Sequence, residues 1–489
     1  MEAIQPRDSF SARHPAAIAP PALAPALVVA AAAMLAIAIQ SLWIPIDADV
    51  SWLITCSERV LAGDRLYIDI VELNPPASVW MYVPFVWAAK LIGAKPEAIV
   101  VAGFVAAACA SVAATIRFAA RLKDSPPRLW LAAVLSFVTL LLPMALFGQR
   151  EHAALLLALP AIAALAVTAE RGKIGRLESV AGGLAAGLMV IIKPYFLFAV
   201  LAPALWTAWR RRSLVPLLPG VAAAAVIIAL YGIALLAFAS DYFQWVPVIA
   251  QTYVPMRAAA WKVLIAPALY PAICLGLVIL LRLKRISPLA VAWALAAGGF
   301  LGAAIIQGKN YPNHWLPQAG LALAAALTLV AQPNIARARR SAVLAGLAVV
   351  AACEVYYWTI IPDRAVASEI RRVAPQAPKI IALSPQLTTG HPVTRNVGGR
   401  WVGSRAGLFM ASGAKYVGLS NQMTRRAYRE DIRSFTVDVA QQSPDVVLVL
   451  KGSKSWLMAE PSIARTMRDY RFAASAGDTE IWVPRGAKR

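Results

Sequence analysis

The stretch DADVSWLITCSERVLAGDRLYIDIVELNPP occupies residues 47–76, directly after the first apolar segment of the chain. It is the most polar part of the first third of the sequence, and aromatic residues such as Trp52 and Tyr67 lie among its acids. Acids beside aromatics at a membrane surface indicate a site for a polar substrate, because carboxylates near a bilayer are costly unless they are paired, hydrated or functional. The carboxylates of the stretch belong to Asp47, Asp49, Glu58, Asp64, Asp69 and Glu72.

The composition around this stretch is that of an integral membrane protein. Of the 489 residues, 60% are hydrophobic and only 15% are charged, and the mean hydropathy is +0.64. The net charge of +22 indicates basic loops that hold the topology, rather than nucleic acid binding. The four cysteines have no metal-type spacing, so neither a disulfide framework nor a cysteine metal site is predicted.

Apolar segments of spanning length recur along the chain. The first could also be a signal peptide, but its length is sufficient for a span. The segment 77–92 is shorter and contains Pro84, so hydropathy alone does not decide whether it crosses. The eleven predicted spans are 22–43, 97–120, 129–147, 153–169, 177–192, 194–209, 214–239, 262–281, 287–306, 315–331 and 341–361.

The basic clusters decide the topology. If 77–92 lies in the interface and does not cross, all the internal clusters fall on the side of Arg7 and Arg13, as the positive-inside rule requires. This arrangement predicts a cytoplasmic N-terminus, an interfacial helix at 77–92 and a periplasmic C-terminus in a bacterial inner membrane. The clusters are Arg117/Arg121/Lys123/Arg128, Arg171/Lys173/Arg176, Arg210/Arg211/Arg212, Arg282/Lys284/Arg285 and Arg337/Arg339/Arg340.

The composition changes at Asp363 to that of a soluble domain. We therefore predict two domains, a transmembrane catalytic domain at 1–362, with its first periplasmic loop at 44–96, and a periplasmic α/β domain at 363–489. Within the second, the pattern predicts strands at 379–384, 415–420, 445–451 and 480–484, and helices at 424–442 and 461–470. The glycine-rich piece 396–407 is predicted to be a loop, because it lacks the strand-to-helix context of a phosphate loop.

Three features of the first loop occur together. Acidic residues follow the first span, Ala62 and Gly63 open a small-Gly-x-x-x-Tyr-x-Asp stretch that ends at Asp69, and Pro75-Pro76 precedes the interfacial segment. This pattern resembles the GT-C superfamily of polyprenyl-phosphate-sugar glycosyltransferases, in particular the bacterial branch of lipid A aminoarabinose transferase and relatives of protein O-mannosyltransferases. The resemblance implies a polytopic α-helical membrane protein with about eleven transmembrane helices, periplasmic interfacial helices and a small C-terminal α/β domain. Many relatives carry Lys where this chain has Asn74, and Asp where it has Glu151.

The motif FGQREH at 147–152 is predicted to lie at the outer end of the third span. The resemblance places a second active-site acid here, so Glu151 would face Asp49, the expected catalytic base. The alternatives are an internal ion pair within FGQREH, and an Asp47/Asp49 pair that only marks a helix end. Lys193 follows a short span, and a lysine at that depth needs an anionic partner or a water-filled cavity. The predicted substrate-binding residues are Asp47, Tyr67, Asp69, Asn74, Arg150, His152, Lys193, Arg257, Lys309 and His314, with Lys262 as a further cation.

A polyprenyl phosphate is already a good leaving group, so one carboxylate is needed to take the proton of the acceptor hydroxyl, and cations are needed to hold the phosphate. Asp47, Asp49 and Glu151 would bind a divalent metal if the reaction uses one. The resulting hypothesis is an inverting glycosyltransferase that moves a monosaccharide from a polyprenyl-phosphate carrier to a periplasmic glycolipid, polysaccharide or protein. The alternatives are a membrane transporter or lipid flippase, and a non-catalytic subunit of cell-envelope assembly.

Overall fold

A computed structural model describes residues 23–259, 261–264, 273, 276–277, 285–332, 335–359 and 364–486. Arg7, Arg13, Arg282, Lys284 and most of the predicted span 262–281 lie outside the described residues. The helices before residue 360 are α1 (Leu23–Leu42), α2 (Ala48–Leu61), α3 (Ala77–Trp80), α4 (Val83–Ile92), α5 (Pro96–Ala119), α6 (Arg128–Ser136), α7 (Arg150–Arg171), α8 (Arg176–Ile192), α9 (Leu197–Arg211), α10 (Leu218–Phe238), α11 (Tyr242–Thr252), α12 (Pro288–Gln307), α13 (Pro312–Val330) and α14 (Arg337–Trp358).

Within the described residues, six helical stretches are long and apolar enough to cross a membrane: Leu23–Leu42, Pro96–Ala119, Arg150–Arg171, Val215–Phe238, Pro288–Gln307 and Arg337–Trp358. The chain is therefore a multi-pass membrane protein. Four further predicted spans correspond to α6, α8, α9 and α13. These helices are not among those that are both long and apolar enough to cross a membrane. The total of eleven spans stays a prediction.

Helix α7 is the centre of the bundle. It packs against α5, α8, α9, α12 and α13, and its side chains are buried on nearly all sides, as expected of a helix that is apolar around its whole circumference. It begins directly after the extended residue Gln149 and ends at Gly172, whose φ of +82° is readily adopted only by glycine. The first turn of α7 therefore holds Arg150 and Glu151 at a fixed position.

The predicted span 129–147 is a helix with an irregular second half. After α6, the chain continues as a π-helix (Phe137–Leu141) and, beyond Pro143, as a 3₁₀ turn (Met144–Leu146). A π-helix does not satisfy its carbonyls in the α-helical pattern, and side chains from other elements bind here. The carbonyl of Thr139 lies 2.7 Å from His152 Nε2, and Gln40 Nε2 donates to the Met144 carbonyl at 2.7 Å.

The described basic clusters gather at the end of the bundle opposite residues 44–96. Arg121, at the end of α5, pairs closely with Glu178 in the first turn of α8. The Arg211 guanidinium lies against Gly172 at the end of α7. Arg340 Nη2 donates to the Gln332 carbonyl at 2.8 Å. Six segment ends that the charge pattern assigned to one side are thus in contact as three pairs.

Residues 47–76, predicted to lie in a loop between two spans, form a folded element that contains a helix. Helix α2 occupies 48–61, and Val50, Leu53, Ile54 and Cys56 are fully or nearly fully buried. The residues 50–57 are all buried, so this part of α2 is enclosed around its whole circumference. The following segment 77–92 forms α3 and α4, and each is too short to span a bilayer.

The C-terminal segment forms a five-stranded sheet flanked by helices. The strands are β1 (Lys379–Leu383), β2 (Arg400–Trp401), β3 (Val446–Leu450), β4 (Tyr470–Ala476) and β5 (Thr479–Pro484), in the order β2-β1-β3-β5-β4. β1 pairs in parallel with β2 and β3, whereas β5 is antiparallel to β3 and β4. The helices are α15 (Arg364–Val373), α16 (Val393–Asn396), α17 (Phe409–Val417), α18 (Gln422–Gln442), α19 (Lys451–Met458) and α20 (Pro461–Thr466).

Three sequence predictions in this segment need correction. The predicted strand 415–420 is the end of α17, which packs against α11 so closely that Gly413 has no space for a side chain beside the Thr252 carbonyl. The predicted helix 461–470 ends at Thr466, and β4, which the sequence analysis missed, begins at Tyr470. The predicted loop 396–407 contains the short strand β2.

The C-terminal segment is held against α2 and the residues that follow it. Val71 N donates to the Ser404 carbonyl at 2.9 Å, and Ser51 Oγ lies 3.1 Å from Nδ1 of the buried His391. Arg395 contacts Glu58 at 2.7 Å and Glu97, at the start of α5, at 2.5 Å. The C-terminal segment thus fixes one face of the helix that carries Asp49.

Candidate active site

Asp49 and Arg150 come together where α2 and α7 begin. Arg150 Nη2 lies 3.6 Å from Asp49 Oδ2. The Asp49 side chain is 35% exposed, whereas only 5% of the Arg150 side chain is accessible. Asp49 is thus reachable from outside, while the guanidinium behind it is enclosed.

Asp47 holds the start of α2 in place. Its Oδ1 accepts hydrogen bonds from Asp49 N at 2.7 Å and from Gln149 Nε2 at 2.6 Å, so one carboxylate caps α2 and ties it to the residue before α7. Burial, followed by the negative charge of Asp49, raises the pKa of Asp47 from 3.8 to about 7. The two hydrogen bonds of Asp47 thus fix the start of α2 relative to the turn before α7.

Glu151 lies in a closed cluster with Lys193 and His314. The Glu151 side chain is fully buried and forms a close ion pair with Lys193, at the break between α8 and α9. His314 Nε2, from the first turn of α13, lies 3.3 Å from Lys193 Nζ and 3.7 Å from Glu151 Oε1. The anionic partner that Lys193 requires at this depth is thus Glu151.

Several buried polar atoms around these residues have no hydrogen-bond partner within the part of the chain that the structure describes. They are Arg150 Nε and Nη1, Gln149 Oε1, Glu151 Oε2 and His314 Nδ1. Buried polar atoms in folded proteins are nearly always hydrogen-bonded, to protein or to ordered water. Their concentration beside Asp49 indicates a position for a polar ligand. The two free nitrogens of Arg150 favour an anionic group, because a planar guanidinium binds carboxylate or phosphate with two parallel hydrogen bonds.

Lys309 and Arg257 lie near each other but do not reach these carboxylates. Lys309 Nζ donates to the carbonyls of Tyr253 and Met256 at 2.9 and 2.5 Å, just beyond the end of α11, and lies 4.0 Å from the Tyr253 ring centroid. Partial burial and the charge of Arg257 lower the pKa of Lys309 to about 8. Arg257 is exposed. Lys309 therefore anchors the segment after α11.

His152 and Tyr67, two of the predicted ligands, are engaged within the protein. His152 is fully buried, with Nδ1 accepting from Gly148 N at 3.2 Å and Nε2 lying 2.7 Å from the Thr139 carbonyl, so neither ring nitrogen is available to a substrate. The hydroxyl of the buried Tyr67 donates to the Asn74 carbonyl at 2.5 Å. We therefore assign both residues to the stability of the fold, which corrects the sequence prediction.

Asn74 and Asp69, two further predicted ligands, also bind other parts of their own segment. The Asn74 amide donates to Glu72, as does its backbone N at 2.9 Å. Asp69 is partly exposed and bonds Arg65 at 3.0 Å, and these hydrogen bonds lower the pKa of Asp69. Both residues stabilise the chain between α2 and α3.

Sequence reasoning missed Gln149, Glu72 and Tyr82. Gln149 bonds Asp47, and the buried Glu72 carboxylate accepts a hydrogen bond from Trp52 Nε1. The Tyr82 hydroxyl donates to the Gly148 carbonyl at 2.7 Å, which fixes the turn before α7. Gln149 belongs to FGQREH and so could have been found, whereas the partner of Tyr82 is 66 residues away in sequence.

The residues suggested for a divalent metal do not fit one in this arrangement. Within the described ranges, no group of three or more His, Cys, Asp or Glu side chains could hold a metal ion. The carboxylates of Asp47, Asp49 and Glu151 face nitrogen atoms of Gln149, Arg150 and Lys193 respectively. These nitrogens and a metal would compete for the same oxygens.

No protein-family model matches the sequence, and no curated protein matches it. Among solved structures, ArnT from Cupriavidus metallidurans bound to undecaprenyl phosphate matches over 94% of this chain and 97% of its own, with a TM-score of 0.58 and 13% identity. ArnT in the apo state matches with a TM-score of 0.58 and 15% identity. The fold is that of the GT-C glycosyltransferases. The GT-C fold that the first loop suggested is thus confirmed, as is the small C-terminal sheet.

A second protein with a GT-C fold has lower similarity. The archaeal oligosaccharyltransferase AglB from Archaeoglobus fulgidus, in complex with an inhibitory peptide and a dolichol-phosphate, has a TM-score of 0.46 and 12% identity, over 94% of this chain and 74% of its own. At these identities the comparisons concern the fold alone. The roles of individual residues must be argued from the geometry of this chain.

Proposed function

We propose that this protein is a glycosyltransferase that takes a sugar from a polyprenyl-phosphate carrier. The observation that carries the proposal is the enclosed Arg150 guanidinium, which has two unpartnered nitrogens and lies beside the partly exposed carboxylate of Asp49. A phosphate is the natural ligand for the first group, and a hydroxyl that must lose its proton is the natural partner of the second. The GT-C fold supports this assignment, since ArnT is described with bound undecaprenyl phosphate.

In the proposed reaction, the acceptor hydroxyl attacks the anomeric carbon from the face opposite the phosphate. A new carbon–oxygen bond forms, the bond from the anomeric carbon to the phosphate oxygen breaks, and its electron pair stays on the phosphate. The hydroxyl proton passes to Asp49, and the anomeric centre is inverted. Arg150 stabilises the charge that develops on the phosphate while it holds the base within 3.6 Å.

The Glu151–Lys193–His314 cluster contributes to this chemistry indirectly. The close ion pair leaves little net charge on Glu151 and Lys193 together, so the two unpartnered nitrogens of Arg150 remain the main local attraction for an anion. Asp47 orients Asp49 through the cap of α2. The acceptor belongs, in this proposal, to the periplasmic side of a bacterial inner membrane, and it is a glycolipid, polysaccharide or protein.

The test is to incubate the purified full-length protein with a panel of polyprenyl-phosphate sugars and an envelope lipid extract, and to measure released polyprenyl phosphate. We expect release from one donor. Asp49→Asn should abolish it, whereas the matched control Asp69→Asn, which alters an acid bonded to Arg65, should retain it.

The same donors in proteoliposomes separate the alternatives. Translocation of the intact donor, without cleavage, would identify a transporter or flippase. Absence of both release and translocation across the panel would favour a non-catalytic assembly subunit.

A further inference from the structure

A cavity of about 1420 Å³ lies between the bundle and the C-terminal segment. Neither Asp49 nor Arg150 lines it. Helix α2 contributes Thr55, Glu58 and Arg59, and the spacings of three and four residues from Thr55 place them on one face of the helix. The other walls come from the end of α1, the start of α5, α15 and residues 394–402. At this volume, the cavity exceeds most small-molecule pockets.

The charge that lines this cavity is unbalanced. Its three acids already have cationic partners, since Asp64 pairs with Arg59 at 2.5 Å and both Glu58 and Glu97 pair with Arg395. The remaining cations that line the cavity are exposed to solvent. Among the described residues, no carboxylate pairs with them. These cations are Lys95, Arg364, Arg371 and Arg400.

One rim of the cavity is apolar and belongs to a membrane span. Residues at the end of α1 and directly after it line the cavity, and among them Leu42 and Trp43 are exposed. Helix α1 is one of the candidate spans, so this rim lies where the bilayer meets water. Tryptophan is enriched at that level of a membrane. The cavity therefore offers apolar contacts at the bilayer and, further out, cations that have no carboxylate partner within the described residues.

We propose that this cavity binds the headgroup of an anionic lipid. A molecule with acyl chains and a phosphate group matches both parts of the lining, because its chains would contact Leu42 and Trp43 while its phosphate reaches the cations. Binding would bridge α15 and residues 394–402 to the membrane. The proposal does not depend on the glycosyltransferase assignment, since it uses another face of α2 and none of the residues of the candidate active site.

The test is native mass spectrometry of the full-length protein in detergent, titrated with phosphatidylglycerol or with phosphatidylcholine. We expect phosphatidylglycerol to bind in preference. The triple variant Lys95→Gln/Arg364→Gln/Arg400→Gln should lose affinity for it by about fivefold per charge, on the order of a hundredfold in total. The control variant Arg429→Gln/Arg433→Gln/Arg465→Gln removes three exposed arginines of the same segment that do not line the cavity, and it should bind normally.

Equal losses in both triple variants would indicate general attraction to a basic surface and would overturn the proposal, as would unchanged binding in the cavity variant. Soluble glycerol phosphate that binds as tightly as the lipid would show that the ligand is a free phosphate. Phosphatidylglycerol with a photoreactive acyl chain should crosslink to the peptide that contains Leu42 and Trp43. Crosslinks found only elsewhere would contradict the assigned position.

Discussion

Arg150 and Glu151 are consecutive in sequence, yet the structure gives them opposite environments. Arg150 lies 3.6 Å from a partly exposed carboxylate and has two nitrogens without a partner. Glu151 is fully buried in a close pair with Lys193. An unsatisfied buried cation is costly unless a ligand completes it, whereas a paired buried charge is part of the fold. The comparison supports the proposal that the Asp49–Arg150 pair binds the ligand and that the Glu151–Lys193 pair stabilises the fold.

The largest expected effect is on turnover, in Asp49→Asn. The amide keeps the shape of the side chain but does not accept the proton of the acceptor hydroxyl, and loss of a general base typically costs a factor of roughly a hundred to ten thousand. Donor affinity should persist, because Arg150 is intact. Released polyprenyl phosphate measures turnover, and retention of labelled donor measures binding. Near-normal turnover in this variant would remove Asp49 from the mechanism.

Lys193→Met tests the structural role of the Glu151–Lys193 pair. The substitution leaves the buried Glu151 carboxylate without its cation, and breaking a buried ion pair by removing one partner typically costs about 3 to 5 kcal/mol. The variant should unfold at a clearly lower temperature. The double variant Glu151→Gln/Lys193→Met should recover much of that loss, because no charge is left uncompensated. If Lys193→Met were as stable as the parent and weakened only donor binding, the pair would belong to the ligand site.

The sequence analysis anticipated this site unevenly, for physical reasons. Hydropathy located α5, α7 and α12, because their apolar composition is a local property. The FGQREH motif indicated Glu151. The partners of Glu151 were not accessible in the same way, since Lys193 is 42 residues away and only the packing of α7, α8 and α13 brings it close to Glu151 and His314. The same limit applies to β4, because its pairing with β5 is a tertiary contact.

The sequence alone also ranked His152 with Arg150 as a ligand. Both lie in the first turn of α7, but His152 faces the π-helix and bonds the Thr139 region, whereas Arg150 faces Asp49. Consecutive side chains of a helix point in different directions. The partner that each one meets depends on how the other elements pack around the helix. Motif membership therefore grouped the two residues in one turn of helix without indicating which of them lies beside Asp49.

Arg150→Gln should have a smaller effect, and it should weaken donor binding without lowering stability. Lys193→Met is expected to do the opposite. A charge-assisted hydrogen bond is worth about 1.5 to 3 kcal/mol, so donor affinity should fall by about ten- to a hundredfold. The thermal unfolding temperature should not fall, because the substitution removes a buried guanidinium that has unpartnered nitrogens. Donor titration and a thermal melt on the same preparation make the measurement. Strong destabilisation with normal donor affinity would show that Arg150 is structural too.

The smallest expected effect is on pH dependence, in Asp47→Asn. Burial and the charge of Asp49 raise the pKa of Asp47 from 3.8 to about 7 in the folded protein, so folding favours the protonated form. The stability that this group contributes is therefore fully present below pH 3.8 and is lost as the pH rises through 7. Asparagine also caps helices well and does not titrate.

The unfolding temperature of Asp47→Asn, relative to that of the parent, should therefore increase between pH 5 and pH 8. Thermal melts across that range provide the measurement, with Asp69→Asn as a control, because the pKa of Asp69 is lowered and that carboxyl is already ionised at pH 5. Turnover should fall less than in Asp49→Asn, since Asp47 orients the base without acting as it. A constant difference in unfolding temperature at every pH would mean that Asp47 is ionised throughout.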